Sequence, residues 1–168
     1  MRYLTILAVI LFASIGTATA QNDAISTYFK KYVDDDRFST VFISPKMFDL
    51  VQTMDIDMDL DDVEAAAIKD VVNNMKSIRI LTSDTDGTSL YKEAAGIISG
   101  GKGYETLMTV KEKTGTNVQF MVKDGDQEGV IRELLLLVGG EDSEFVLMSF
   151  IGDINLKNIG KLAEAFED

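Results

Sequence analysis

Residues 117 to 151 read NVQFMVKDGDQEGVIRELLLLVGGEDSEFVLMSFI, and this stretch decides the fold. Val118, Phe120 and Val122 alternate with Asn117, Gln119 and Lys123, the period of two of a strand with one face turned inward. Asp124-Gly125 supplies a turn. Two more strand candidates follow, Val130 to Val138 and Phe145 to Ile151. Just upstream, Tyr104 to Lys111 is a fourth strand candidate, with Gly115 turning it into the next. Links this short imply an antiparallel meander, because a parallel return needs a dozen or more residues. The runs Leu134 to Val138 and Phe145 to Met148 are apolar without alternation, so both faces of those strands should be covered. Either helices cover both faces, or one face meets another molecule, since large apolar patches seldom stay in water.

Working outward, helices dominate the first half. Ile25, Tyr28, Phe29, Tyr32 and Val33 form one apolar stripe and predict a helix over Asp23 to Asp36. Phe38 to Ile43 reads as a strand. Ser44-Pro45 opens a helix, with the serine as N-cap and the proline at the first helical position. Asp61 to Lys76 is the next helix, Asp61 and Glu64 having the spacing of a capping box. Ile78 to Thr82 is a strand. Ser89 to Ser99 is a helix ended by Gly100 and Gly101. Beyond the meander, Asn155 to Phe166 carries Leu156, Ile159, Leu162, Ala163 and Phe166 on one face of a closing helix. The expected class is α+β: a mainly antiparallel sheet with a C-terminal four-strand meander, packed by about five helices.

The N-terminus reads as a secretory signal. Arg2 is a short positive region, Tyr3 to Ile15 runs apolar, Gly16 breaks it, and Ala18-Thr19-Ala20 is an A-x-A cleavage site. The run has 13 residues, short of the roughly 17–25 of a membrane-spanning helix. The expectation is a signal peptide over 1–20, cleaved after Ala20, then a single α+β domain over 21–168. That makes the protein exported, periplasmic or secreted, with no stable membrane anchor after cleavage. Losing Arg2 leaves 15 basic residues against 28 acids, a net charge of −13. Such a surface repels phosphate backbones and anionic lipid heads, which argues against nucleic-acid binding.

Absent residues exclude chemistries. There is no Cys, so neither a disulfide framework nor thiol chemistry. There is no His, so neither a Ser-His-Asp triad nor an imidazole zinc site. Carboxylates remain, and 28 of them give no basis for choosing a pair.

Four stretches resemble chemical motifs. Asp55, Asp57 and Asp59 alternate like the start of a calcium loop, but Leu60 stands where the sharp glycine turn belongs and Ala66 where the bidentate Glu belongs. They remain weak metal candidates, in a loop whose last Asp caps the next helix. Asp84-Thr-Asp86-Gly-Thr88 after a strand resembles the first motif of haloacid-dehalogenase-type phosphatases. That resemblance would make Asp84 the nucleophile and Asp86 the acid/base, with Asp153 as a later carboxylate. Such enzymes need a parallel sheet, which the meander argues against; a helix-capping turn is the simpler account. Gly96 to Gly103 nearly matches a phosphate loop, yet Gly103 replaces the metal-binding hydroxyl and the stretch follows a helix instead of opening one. Lys123 to Gly129 is a polar hairpin connection. No catalytic residue, metal site or cofactor is assigned.

Tyr104 to Glu112, Arg132 to Gly140 and Glu144 to Ile154, with Phe38 to Val51, resemble an uncharacterised domain family (DUF4252) of small exported Bacteroidetes proteins. The resemblance spans about Ala24 to Phe166 and implies a fold, with no activity attached. Many members look like lipoproteins, which this Cys-free chain cannot be. The leading expectation is a non-enzymatic envelope protein that binds a protein partner or forms a homodimer. A carboxylate- or metal-dependent hydrolase is the second, and a small-ligand or calcium-binding module the third.

Overall fold

The computed structural model describes residues 24–54, 69, 72–101, 103–141 and 143–155. The order of elements is α1 (Ala24–Tyr32), β1 (Ser39–Ile43), α2 (Pro45–Thr53), β2 (Met75–Ser83), α3 (Gly87–Gly100), β3 (Tyr104–Lys111), β4 (Thr116–Asp124), β5 (Val130–Gly140) and β6 (Ser143–Asn155). One six-stranded sheet runs β1-β2-β6-β5-β4-β3, and every pairing is antiparallel. The expected meander is β6-β5-β4-β3, four of its six strands. The last strand, β6, pairs on its other side with β2 and joins the meander to β1 and β2.

Parts of four helices fall among the described residues, fewer than the five expected. The helix predicted over 61–76 is described only at residue 69 and over 72–74, and Met75 and Lys76 already belong to β2. The strand wins there because Met75 pairs with Gly152 of β6. The closing helix predicted from Asn155 lies outside the described residues, apart from Asn155 itself, which ends β6. The signal peptide and Asp55, Asp57 and Asp59 also lie outside them.

The core sits between one face of the sheet and helices α1 and α3. Ile25, Tyr28, Phe29 and Tyr32 of α1 and Leu90, Ala94 and Ile98 of α3 pack with Leu81, Met121, Leu135, Leu137, Phe145 and Leu147. Tyr28 donates its hydroxyl to the Leu90 carbonyl at 3.3 Å, tying the two helices. Burial pushes that phenol well above the usual tyrosine range. At the outer side, Glu93 accepts from Tyr32 Oη at 2.6 Å and from Lys31 Nζ at 2.5 Å. Partial burial works against charge on Glu93, but the two donors outweigh it and hold its carboxyl below the ordinary value.

Helix ends follow the sequence cues in position, not always in bonding. Ser44 sits at the N-cap of α2 with extended backbone and Pro45 follows, yet the serine side chain makes no cap bond. Asp86 sits at the N-cap of α3 in the left-handed region, φ 56°, also without a side-chain cap bond. Gly101 ends α3 by donating its amide to the Ile97 and Ile98 carbonyls. Among the described residues no helix is long and apolar enough to cross a membrane.

Candidate functional site

The apolar runs of β5 and β6 do not alternate in type, but they alternate in environment. Leu135 and Leu137 are buried under the helices, whereas Leu134, Leu136 and Val138 are half-buried on the other face. The same holds for Phe145 and Leu147 against Val146 and Met148. The expectation that both faces are covered by helices is met on one face. Among the described residues, no helix packs against the β4, β5 or β6 side chains of the second face. Helix α2 packs beside β2 and turns Met47, Leu50 and Met54 to solvent.

Register shows how continuous this second face is. Val41, Ile80, Met148, Leu136, Phe120 and Met108 are successive cross-strand partners from one edge of the sheet to the other. The row on one side is Ile43, Ile78, Phe150, Leu134, Val122 and Glu105. On the other side it is Ser39, Thr82, Val146, Val138, Val118 and Val110. Of these 18 positions 15 are apolar, and one, Glu105 at a corner, ionises. Strand spacing of about 4.8 Å and a rise of about 3.4 Å per residue give a footprint of roughly 500 Å². The margins are the most open: Val41 is 46% exposed, Met108 47% and Val110 39%. Near the exit of β6, Val122, Ile131 and Ile154 are buried beside Met75, Leu134 and Phe150.

The motif-like stretches are not assembled into one reaction centre. Asp84 and Asp86 are exposed at the end of β2. They line an open groove with Thr88, Ser89, Glu141 and Glu144. Asp86 lies 3.6 Å from Arg37, in an ion pair at the surface. Asp153, the carboxylate that would complete the phosphatase set, is at the opposite end of β2, paired with Lys76 at 2.6 Å. Antiparallel neighbours on both sides of β2 remove the parallel strands that chemistry requires. Among the described residues, no group of three or more His, Cys, Asp or Glu side chains could hold a metal ion. The glycine-rich stretch is the end of α3 and its cap. The Lys123 to Gly129 stretch is the β4–β5 connection, with the Gly125 amide on the Val130 carbonyl at 2.9 Å and Gly129 at φ +77°.

Sequence reasoning missed one polar centre. Glu133 is 2% exposed on the helix-covered face. It accepts from Tyr104 Oη at 2.6 Å and from the fully buried Ser149 Oγ at 2.5 Å. Lys123, its partner on β4, stands 5.4 Å from the centre of the Tyr104 ring. The signal was available: Glu133 is in phase with Leu135 and Leu137, a lone acid on the inward side of an apolar strand. Closed off from solvent, the cluster ties β3, β5 and β6 together.

The described residues define a small α+β domain with a six-stranded antiparallel sheet, α1 and α3 packed on one face and apolar rows on the other. The chain belongs to the family described as Domain of unknown function (DUF4252), whose model matches residues 29–162. No curated protein and no solved structure matches it.

Proposed function

We propose that the protein is exported and works without catalysis, as a periplasmic or secreted protein that associates with other protein surface through the second face of its sheet. The observation that carries this reading is the continuous row from Val41 to Met108, apolar at all six strands and open at both margins. Burying such a row against a partner recovers about 25 cal/mol for each Å² of apolar surface removed from water. Export rests on the signal-like N-terminus, with Arg2, the apolar run Tyr3 to Ile15 and the Ala18-Thr19-Ala20 site. The hydrolase alternative draws no comparable support, because Asp84, Asp86 and Asp153 stand exposed or apart.

Two measurements test the reading. Mass spectrometry of the protein from fractionated cells should find a chain beginning at Gln21 outside the cytoplasm; an intact precursor confined to the cytoplasm sinks the export half. Cross-linking in intact cells should give higher-mass species that Met108→Lys and Val110→Lys both abolish. Adducts indifferent to these two substitutions would refute association through this face.

A further inference from the structure

We infer that β1 is an open sheet edge through which two copies of this chain join, antiparallel and in one register, with Val41 facing Val41 across a two-fold axis. This contact lies at the rim of the sheet, adds strand to strand, and does not depend on what covers the second face.

Exposure at the rim is the first observation. Among the described residues β1 ends the strand order and pairs on one side only, with β2. Ser39, Thr40, Val41 and Phe42 are all exposed. An edge strand offers a row of unpaired N–H and C=O groups, a template for another strand. Five of the eight exposed large apolar side chains among the described residues, Val41, Phe42, Met47, Leu50 and Met54, fall within residues 41–54, on this strand and the helix that follows it.

The two edges are built differently. The far edge, β3, carries Glu105 and Lys111, and its register with β4 breaks between Thr106 and Met108. Charges and bulges are the usual means of blunting an edge. β1 has neither. Its sequence STVFI is uncharged, rich in residues that suit strands, and its register with β2 is unbroken.

Charge selects the occupant. The uncharged strand is flanked by opposite signs. Asp34 and Asp36 are exposed just before it, while Asp35 is tied to Arg37 at 2.8 Å. Lys46 is exposed just after it, with a contact to Asp49 at 3.9 Å. Antiparallel pairing of β1 with a second β1 brings the acidic entry of each copy to the basic exit of the other. Parallel pairing would set acid against acid. A second copy therefore carries the complementary pattern by construction, at a place where two chains of net charge −12 can meet without repulsion.

Register follows from the alternation. Directly opposite residues of an antiparallel pair share a face. With the axis at Val41, Ser39 faces Ile43 and Thr40 faces Phe42, and each residue stays on its own face. The apolar row through Ile80 and Val41 then runs on into the same row of the second copy. The interface is isologous and closes at two.

Sedimentation of the purified protein tests this as the concentration rises to about 1 mM, because interfaces under about 1,200 Å² belong to the weak, transient class. A dimer that grows no further is expected. Val41→Lys and Val41→Glu, at a position 46% exposed, should each keep the circular-dichroism spectrum and each stay monomeric, since like charges then meet at the axis. Mixed in equal amounts, the two variants should dimerise again, the introduced lysine of one copy facing the introduced glutamate of the other. Amides of β1 should exchange more slowly in the dimer than in either variant alone. A wild-type monomer at every concentration overturns the inference. So does a dimer that either variant leaves intact, or a mixture of the two that stays monomeric. Growth beyond two copies overturns the closed pairing.

Discussion

At the scale of single residues, buried polarity and surface pairs do different work. Glu133 is held by two hydroxyls in a setting with little access to water. Removing one partner of a buried hydrogen bond costs about 1–3 kcal/mol. Tyr104→Phe should therefore lower stability in urea titrations by about 1–3 kcal/mol; an unchanged midpoint would show the bond to be dispensable. The carboxylates outside the core respond to acid. Bonds from Arg37 hold Asp35 down from 3.8 to about 2, and Glu93 is held low by Lys31 and Tyr32. A lowered native pKa means that stability is present above the unfolded value and is lost as pH falls through the native one. Thermal melts should thus decline between about pH 4 and pH 2, and Asp35→Asn with Glu93→Gln should flatten that decline. The Lys31–Glu93 pair was not legible in the sequence, since its members lie 62 positions apart. Glu133 was legible in principle, through its phase with Leu135.

At the scale of elements, the strands were the most readable part. Period two and short turns placed β3 to β6 within a few residues of their observed bounds, because hairpin partners are local and their turns carry glycine. What periodicity could not separate was residue type from environment: β5 and β6 are apolar on both faces, and only burial tells the helix side from the other. The cap position of Ser44 was legible, while the cap bond expected of it is not made. The docking of α3 on the sheet was invisible in sequence and depends on glycines. A Cβ on Gly139 would stand 2.8 Å from the Gly87 carbonyl oxygen and 2.8 Å from Tyr91 Cβ. Backbone contacts that close cannot relax by a rotamer change. Gly139→Ala should cost about 1–3 kcal/mol in denaturant unfolding, whereas Gly96→Ala, with open space around it, should cost nothing or stabilise α3 slightly. Equal effects from the two would remove the close-approach argument.

At the scale of the whole molecule, the class was legible and the asymmetry was not. Helices before strands, then a meander, implied α+β. That α1 and α3 share one side is a property of chain crossing and sheet handedness, which no local pattern encodes. The same asymmetry leaves the candidate interface on the other side.

The position of β6 has a consequence for how the polypeptide reaches this state. It is the last strand in the described chain, yet it lies between β2 and β5 and completes the middle of the sheet. The N-terminal elements cannot close their half until residues some 70 positions downstream have been made, as the pairing of Ile78 with Phe150 illustrates. Contacts so distant in sequence slow folding. A nascent polypeptide lacking its final strand stays uncommitted and threadable, which would suit the export proposed above, since translocation precedes folding.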